Sequence, residues 1–256
     1  MRIFTVTPSC RRPVRRGGVR HAISTTLACG LLLAGATACD QGAERKISGA
    51  PGAASAYPGQ AVGRRLPGVG DRMWDQVPAA TGQVVVVYGE HEDSPDGLAV
   101  LYQKRDSTWV RTASWPAHNG RRGWTEDHRI DDEHTPVGVF TLTDAGGTLA
   151  DPGSRLRYWY DDNAYATMLP LEQAHAHDFD YVIAIDYNRL KGAPPFDWSR
   201  PEGVERGGGI WLHTDHGDGT SACVTVPESG MKTLLRTLDP AQYPVVVMGD
   251  RAHLAS

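Results

Sequence analysis

The pattern of apolar and polar positions changes character twice along the chain. Residues 22–38 (AISTTLACGLLLAGATA) form an apolar run, residues 39–70 carry almost no large apolar side chains, and from Asp71 onward short apolar runs alternate with turn residues. In that last part Gln83 to Tyr88 (QVVVVY) is a β-branched run that reads as a buried strand. Leu98 to Gln103, Thr108 to Ala113, Val137 to Leu142, Tyr181 to Tyr187, Ile210 to His213, Cys223 to Val226 and Val245 to Met248 continue the series. One segment keeps helical spacing instead. Met231, Leu234, Leu235 and Leu238 fall at i, i+3, i+4 and i+7, with Pro227 near the start and Asp239-Pro240 as the stop. Many short strands between Gly, Pro, Asp and Asn predict a mainly β domain over residues 71–250, a sandwich or barrel-like fold with one to three short helices.

The start of the chain is of a different kind. Arg2, Arg11, Arg12, Arg15, Arg16 and Arg20 precede the first acidic residue, Asp40, and the apolar run ends in Ala36-Thr37-Ala38. A basic segment, an apolar segment and a small-residue site are the parts of a secretory signal peptide, here residues 1–38. The run is shorter than the ~20 apolar residues of a membrane span. Cys39 follows directly, and LAGATAC resembles the bacterial lipoprotein arrangement, so a lipid on Cys39 and plain secretion are alternative fates. Residues 40–70 contain seven Gly, six Ala and three Pro, a composition too poor in apolar surface to order itself; residues 39–70 read as a flexible tether. The chain is therefore expected to be exported to the cell envelope or wall, with a membrane tether through Cys39 if that residue is lipidated.

Charge narrows the choice of partner. The 256 residues carry 26 basic and 30 acidic side chains. Loss of residues 1–38 removes six basic and no acidic ones, leaving 20 against 30 and a net charge of −10. Nucleic acid is excluded as a partner, since its phosphates demand a basic face, and so is attachment to anionic lipid through surface charge.

Of the four cysteines, Cys10 and Cys29 lie in the leader and Cys39 at its edge, which leaves Cys223 as a lone thiol in the folded part. An odd cysteine in an exported chain suggests a reactive thiol; the plainer reading is a small buried hydrophobe. His213 closes one predicted strand and Cys223 opens the next, joined by the loop TDHGDGTSA. A neighbouring imidazole lowers a thiol's pKa and collects its proton. If the strands are neighbours, Cys223 attacks a carbonyl and His213 is general base and then acid. The amides around Ala222 and Cys223 donate to the developing oxyanion, and the Ser221 carbonyl orients the base. This chemistry needs the pair side by side at a solvent-reachable cleft.

His216 with His213 and Cys223 offers a zinc site instead. The paired spacing of structural zinc sites is absent, so neither metal nor cofactor is expected and His216 reads as an exposed loop residue. His118, His128, His134, His175 and His177 read as solvated, and Asp131-Asp132-Glu133 as a surface acidic run. Trp211 and Tyr160 read as core aromatics before groove-lining ones.

Taken in order, these stretches resemble the L,D-transpeptidase catalytic domain, or YkuD, family. Leu212-His213 followed by Ser221-Ala222-Cys223-Val224 is similar to its histidine-closed strand, loop and Ser/Thr-x-Gly-Cys opening of the next strand. Thr135-Pro136-Val137-Gly138-Val139-Phe140, Tyr181 to Asn188 and Gly209 to His213 follow its other landmarks. The resemblance covers roughly residues 71–250 and implies an L,D-transpeptidase-like β-sandwich. The chain departs from the pattern at Ala222, where the family usually has Gly, and at Ser221, where many members have a second histidine. Alanine would be strained at position 222 if that position required positive φ.

The resemblance implies a peptidoglycan L,D-transpeptidase. Such enzymes cut the bond between an L-configured centre and the terminal D-alanine of a stem tetrapeptide. They hold the acyl group on the cysteine as a thioester and pass it to an amine of a neighbouring stem as a 3→3 cross-link, or to another acceptor. With water as acceptor the outcome is an L,D-carboxypeptidase. Members are commonly acylated by carbapenems at this thiol. The rival reading is a non-catalytic, wall-associated lipoprotein or binding module on the same fold.

Overall fold

Side-chain alternation in Gln83–Gly89 shows how the domain is built: Val85 and Val87 enter one apolar cluster, Val84 and Val86 another, and all four are buried. A strand covered on both faces belongs to a sheet with cores on each side. The computed structural model describes residues 59–166 and 175–256. The leader, most of the tether and Cys39 lie outside the described residues.

In chain order the strands are β1 (Gln60–Gly63), β2 (Gln83–Gly89), β3 (Asp96–Arg105), β4 (Thr108–His118), β5 (Trp124–Thr125) and β6 (Thr135–Pro136). They continue as β7 (Gly138–Gly147), β8 (Arg157–Tyr160), β9 (Val182–Ile185), β10 (Trp211–Thr214), β11 (Val224–Val226) and β12 (Val245–Asp250). The α-helices are α1 (Asp71–Trp74), α2 (Asp162–Ala166), α3 (Glu228–Thr237) and α4 (Arg251–Leu254). Every strand read from the sequence is present, and several run further than the apolar run that announced them.

One sheet carries the fold, in the order β1-β4-β11-β10-β9-β7-β12-β2-β3. Because β3 also pairs along β4, the path from β4 round to β3 closes on itself, and β1 and β8 attach to its sides. The fold is mainly β, as expected. The first core cluster draws on β2, β3, β4, β7, β9, β10, β11 and β12, together with Met231, Leu234, Leu235 and Leu238. Those four residues are the helical stripe read from the sequence, and α3 buries it against that core.

Two other clusters cover the opposite faces. Leu66, Val69, Met73 and Leu254 pack over β2, β3 and β12. The expected tether therefore ends sooner than residue 70: β1 pairs with β4, and Leu66 and Val69 are buried. Their apolar side chains find a sheet face that the composition of the segment did not reveal. Over β9, β10 and β11 lies the third cluster, in which Val182, Ala184, Trp211 and Cys223 meet Tyr165 and Phe179. Among the described residues no helix is long and apolar enough to cross a membrane.

Candidate active site

Adjacent parallel strands place the two candidate residues. In the β10–β11 register Leu212 lies opposite Val224 and His213 opposite Thr225. Leu212 and Val224 face the inner core, so Trp211 and Cys223 turn to the other face, beneath the third cluster. His213 is on that face too, its ring edge-on to Phe179 at 5.2 Å. The structure thus brings Cys223 and His213 to one face of neighbouring strands. The Trp211 backbone amide donates to the Cys223 sulfur at 3.4 Å, and the Gly209 carbonyl oxygen is 3.8 Å from that sulfur.

Two expectations need correction. Both side chains are buried, with Cys223 0% and His213 1% exposed, and do not lie at an open cleft. Tyr165, Phe179 and Trp211 pack edge-on over this face, joined by Phe196. An indentation lined by Phe196, Trp198, Arg200, Gly209 and Trp211 borders this face but leaves no room for a water molecule. Nor is the thiol alone: Cys223 is disulfide-bonded, and no other cysteine lies among the described residues.

The electrostatics of His213 are those of a proton acceptor. Burial drives its pKa down to about 4, against the opposing pull of Asp178, so the ring is neutral near neutral pH. Its Nδ1 lies 2.9 Å from the Thr214 carbonyl oxygen. That contact assigns the proton to Nδ1 and leaves Nε2 as the acceptor. The orienting carbonyl is therefore Thr214's and not Ser221's, because Thr214 follows directly along β10 whereas Ser221 belongs to the turn before β11.

Ala222 is buried, and its φ is not positive, so alanine fits there without strain. What fixes this turn is a residue that the sequence showed only as a landmark. Thr135 Oγ1 accepts the Gly120 amide at 2.7 Å and donates to the Ala222 carbonyl at 2.8 Å. Thr220 Oγ1 donates to the Cys223 carbonyl at 2.6 Å, while the Thr220 backbone bonds Asn119 and Arg121. Pairing across such sequence distance leaves no trace in local periodicity.

Beside His213 stands a cluster of a different make. His175 and His216 both direct Nδ1 at Asp178 Oδ2, from 3.0 and 3.2 Å. His216 stacks parallel to His213 with ring centroids 6.2 Å apart, and the Thr214 amide donates to the Asp178 carbonyl at 3.1 Å. Burial alone would raise the Asp178 carboxyl, but His216, His213 and His175 hold it below the ordinary carboxylate range. His216 is thus not an exposed loop residue, and His175 and His128 are buried, not solvated. The local sequence is polar, but the fold covers it.

The remaining histidines and the acidic run divide. His118 bonds Asp215 at 2.8 Å, and that hydrogen bond raises its pKa; His134 is half-buried against Asp132, and His177 is solvated as expected. In the acidic run, Asp132 meets the buried His128 and Glu133 pairs with Arg121, so only part of it is plain surface. Trp211 is core, and Tyr160 is exposed.

Comparisons with known proteins bear on this geometry. Residues 73–247 match the family model described as YkuD, L,D-transpeptidase catalytic domain. No curated protein matches the chain. A solved structure, that of Bdellovibrio bacteriovorus Bd1075, is similar at 17% identity and a TM-score of 0.37, covering 75% of this chain. The chain spans about half the length of that protein, 54%.

Proposed function

We propose, from a chain that belongs to the L,D-transpeptidase catalytic domain (YkuD) family, that this protein is a peptidoglycan L,D-transpeptidase working through an acyl-enzyme on Cys223. The observation that carries the reading is the placement of Cys223 and His213 on one face of adjacent strands, with Nδ1 committed to a carbonyl and Nε2 left to accept. In the reduced protein His213 Nε2 takes the thiol proton as sulfur attacks the carbonyl of the L-configured centre. The amides around Ala222 and Cys223 donate to the oxyanion. Collapse breaks the bond to D-alanine, whose nitrogen receives the proton from His213, and leaves a thioester. An amine of a second stem peptide then attacks, losing its proton to His213, and frees the thiol with a 3→3 cross-link; water in its place gives a carboxypeptidase.

Two features shape the test. The disulfide must be reduced before sulfur can act, a step that thiol–disulfide exchange supplies, and the stem peptide must reach a buried sulfur past the aromatic cover of Tyr165, Phe179 and Phe196. Export to the envelope, a lipid on Cys39 and stem peptides as partners all belong to this proposal. Full burial of Cys223 favours one rival, a non-catalytic wall-binding module.

The experiment is muropeptide analysis of a wall incubated with the chain under a reducing agent, alongside intact-mass detection of a carbapenem adduct. The expected result is new cross-linked or trimmed stems and an adduct lost in Cys223→Ala, with His213→Ala acylating ~10²–10⁴-fold more slowly. An unmodified wall and no adduct on the reduced chain would overturn the transpeptidase reading and favour the binding module.

A further inference from the structure

The cluster beside His213 has ligand chemistry that the transpeptidase reading does not use. His175, Asp178 and His216 each offer one ligand atom, and these atoms lie within 4.8 Å of one another. Their side chains are 4, 7 and 4% exposed. Burial of so many titratable groups is costly unless each is bonded. Yet His216 Nε2 has no hydrogen-bond partner among the described residues, and its Nδ1 meets only Asp178, at 3.2 Å. A buried imidazole that leaves a ring nitrogen unengaged beside two further ligand groups calls for an ion or a water there.

We propose that His175, Asp178 and His216 form a binding site for a divalent transition cation of the zinc class. Tetrahedral zinc with bonds of ~2.0–2.2 Å sets its ligand atoms ~3.3 Å apart. The two histidine nitrogens already stand 3.0 and 3.2 Å from Asp178 Oδ2, so small ring rotations seat the ion. Imidazole and carboxylate suit zinc, and three protein ligands leave a fourth position for water or a substrate oxygen. Neither His213 nor Cys223 is a ligand, which separates this site from the His213, His216 and Cys223 set considered from the sequence. The ion would tie the turn bearing Asp178 to the loop that runs from His213 to His216.

The test needs no turnover, so its failure is distinct from failure of the transpeptidase reading. The untagged chain, stripped with a chelator and reloaded with zinc under a non-chelating reductant, is dialysed and its metal content measured. The expected result is one zinc per chain, retained in Cys223→Ala and His177→Ala, with affinity more than about 100-fold lower in His216→Gln and His175→Gln. X-ray absorption of the wild-type zinc form keeps the proposal falsifiable should those variants fail to fold. It must show nitrogen and oxygen neighbours at ~2.0–2.2 Å and no sulfur at ~2.3 Å. No zinc above the His216→Gln level, loss of zinc in Cys223→Ala, or a sulfur neighbour would overturn it.

Discussion

One hydroxyl, that of Thr135, decides how the turn before Cys223 is held. It is fully buried, accepts the Gly120 amide and donates to the Ala222 carbonyl. Replacement by valine keeps the shape but leaves a buried donor and acceptor unpaired, so Thr135→Val should cost about 1–3 kcal/mol while Thr135→Ser stays near wild type. Urea denaturation of the two variants checks this, and equal losses would refute it. Position 222 gives the opposite expectation. With φ not positive and the methyl buried, restoring the family's glycine removes packing and adds unfolded-state freedom. Ala222→Gly should lower stability by roughly 0.5–1 kcal/mol, again measured in urea, and a gain would show hidden strain. That the strands ending at His213 and opening at Cys223 are neighbours was legible, because two short apolar runs flank one polar loop. Thr135's partners and the His175, Asp178 and His216 cluster were not, because each joins segments far apart in the chain.

At the scale of elements, α3 and the strand β7 are held by different forces. The stripe Met231, Leu234, Leu235 and Leu238 is buried in the inner core, and Gly230 lets Trp115 approach so closely that an added Cβ would meet its ring at 3.2 Å. Truncating Leu235 leaves a cavity, and Leu235→Ala should cost ~2–5 kcal/mol by thermal or urea unfolding; a loss below 1 kcal/mol would mean that α3 is not part of the core. Strand β7 relies on charge instead. Arg189 Nη1 pairs with Asp144 and Asp186 while Nη2 donates to the Ala193 carbonyl at 2.6 Å, and Asp186 also accepts from Thr141 at 2.6 Å. All three charged side chains are buried. Arg189→Leu strands two carboxylates, so the expected loss is ~3–5 kcal/mol. Apolar periodicity announced the strands and α3 from the sequence. It could say nothing of this network, whose members sit on two segments, 141–144 and 186–193, and look like ordinary surface residues.

For the molecule as a whole, closure depends on its last strand. β12 lies between β7 and β2, so the circuit cannot form until nearly the whole domain is present. The segment entering α1 then meets the segment of α4, Gly70 donating to the Leu254 carbonyl and Arg72 to that of Ser256. Asp250 stands at this junction, ending β12 and capping α4 through the Ala252 and His253 amides at 2.9 and 3.3 Å, with the His253 ring against its carboxylate. Burial by itself would raise its pKa, but His253 and those amides hold it below the ordinary carboxylate value. A carboxyl that binds its proton less readily when folded than unfolded stabilises the fold once pH exceeds the unfolded value of ~3.9. That contribution fades as pH falls through the lower folded value. Asp250→Ala should therefore be less stable than wild type by ~0.5–2 kcal/mol at neutral pH, the cost of a lost cap. The gap should be constant down to about pH 4 and narrow below it. Denaturation curves for the pair across that range decide the matter: a gap that stays constant into strong acid would mean that the ionised carboxylate plays no part in holding this junction.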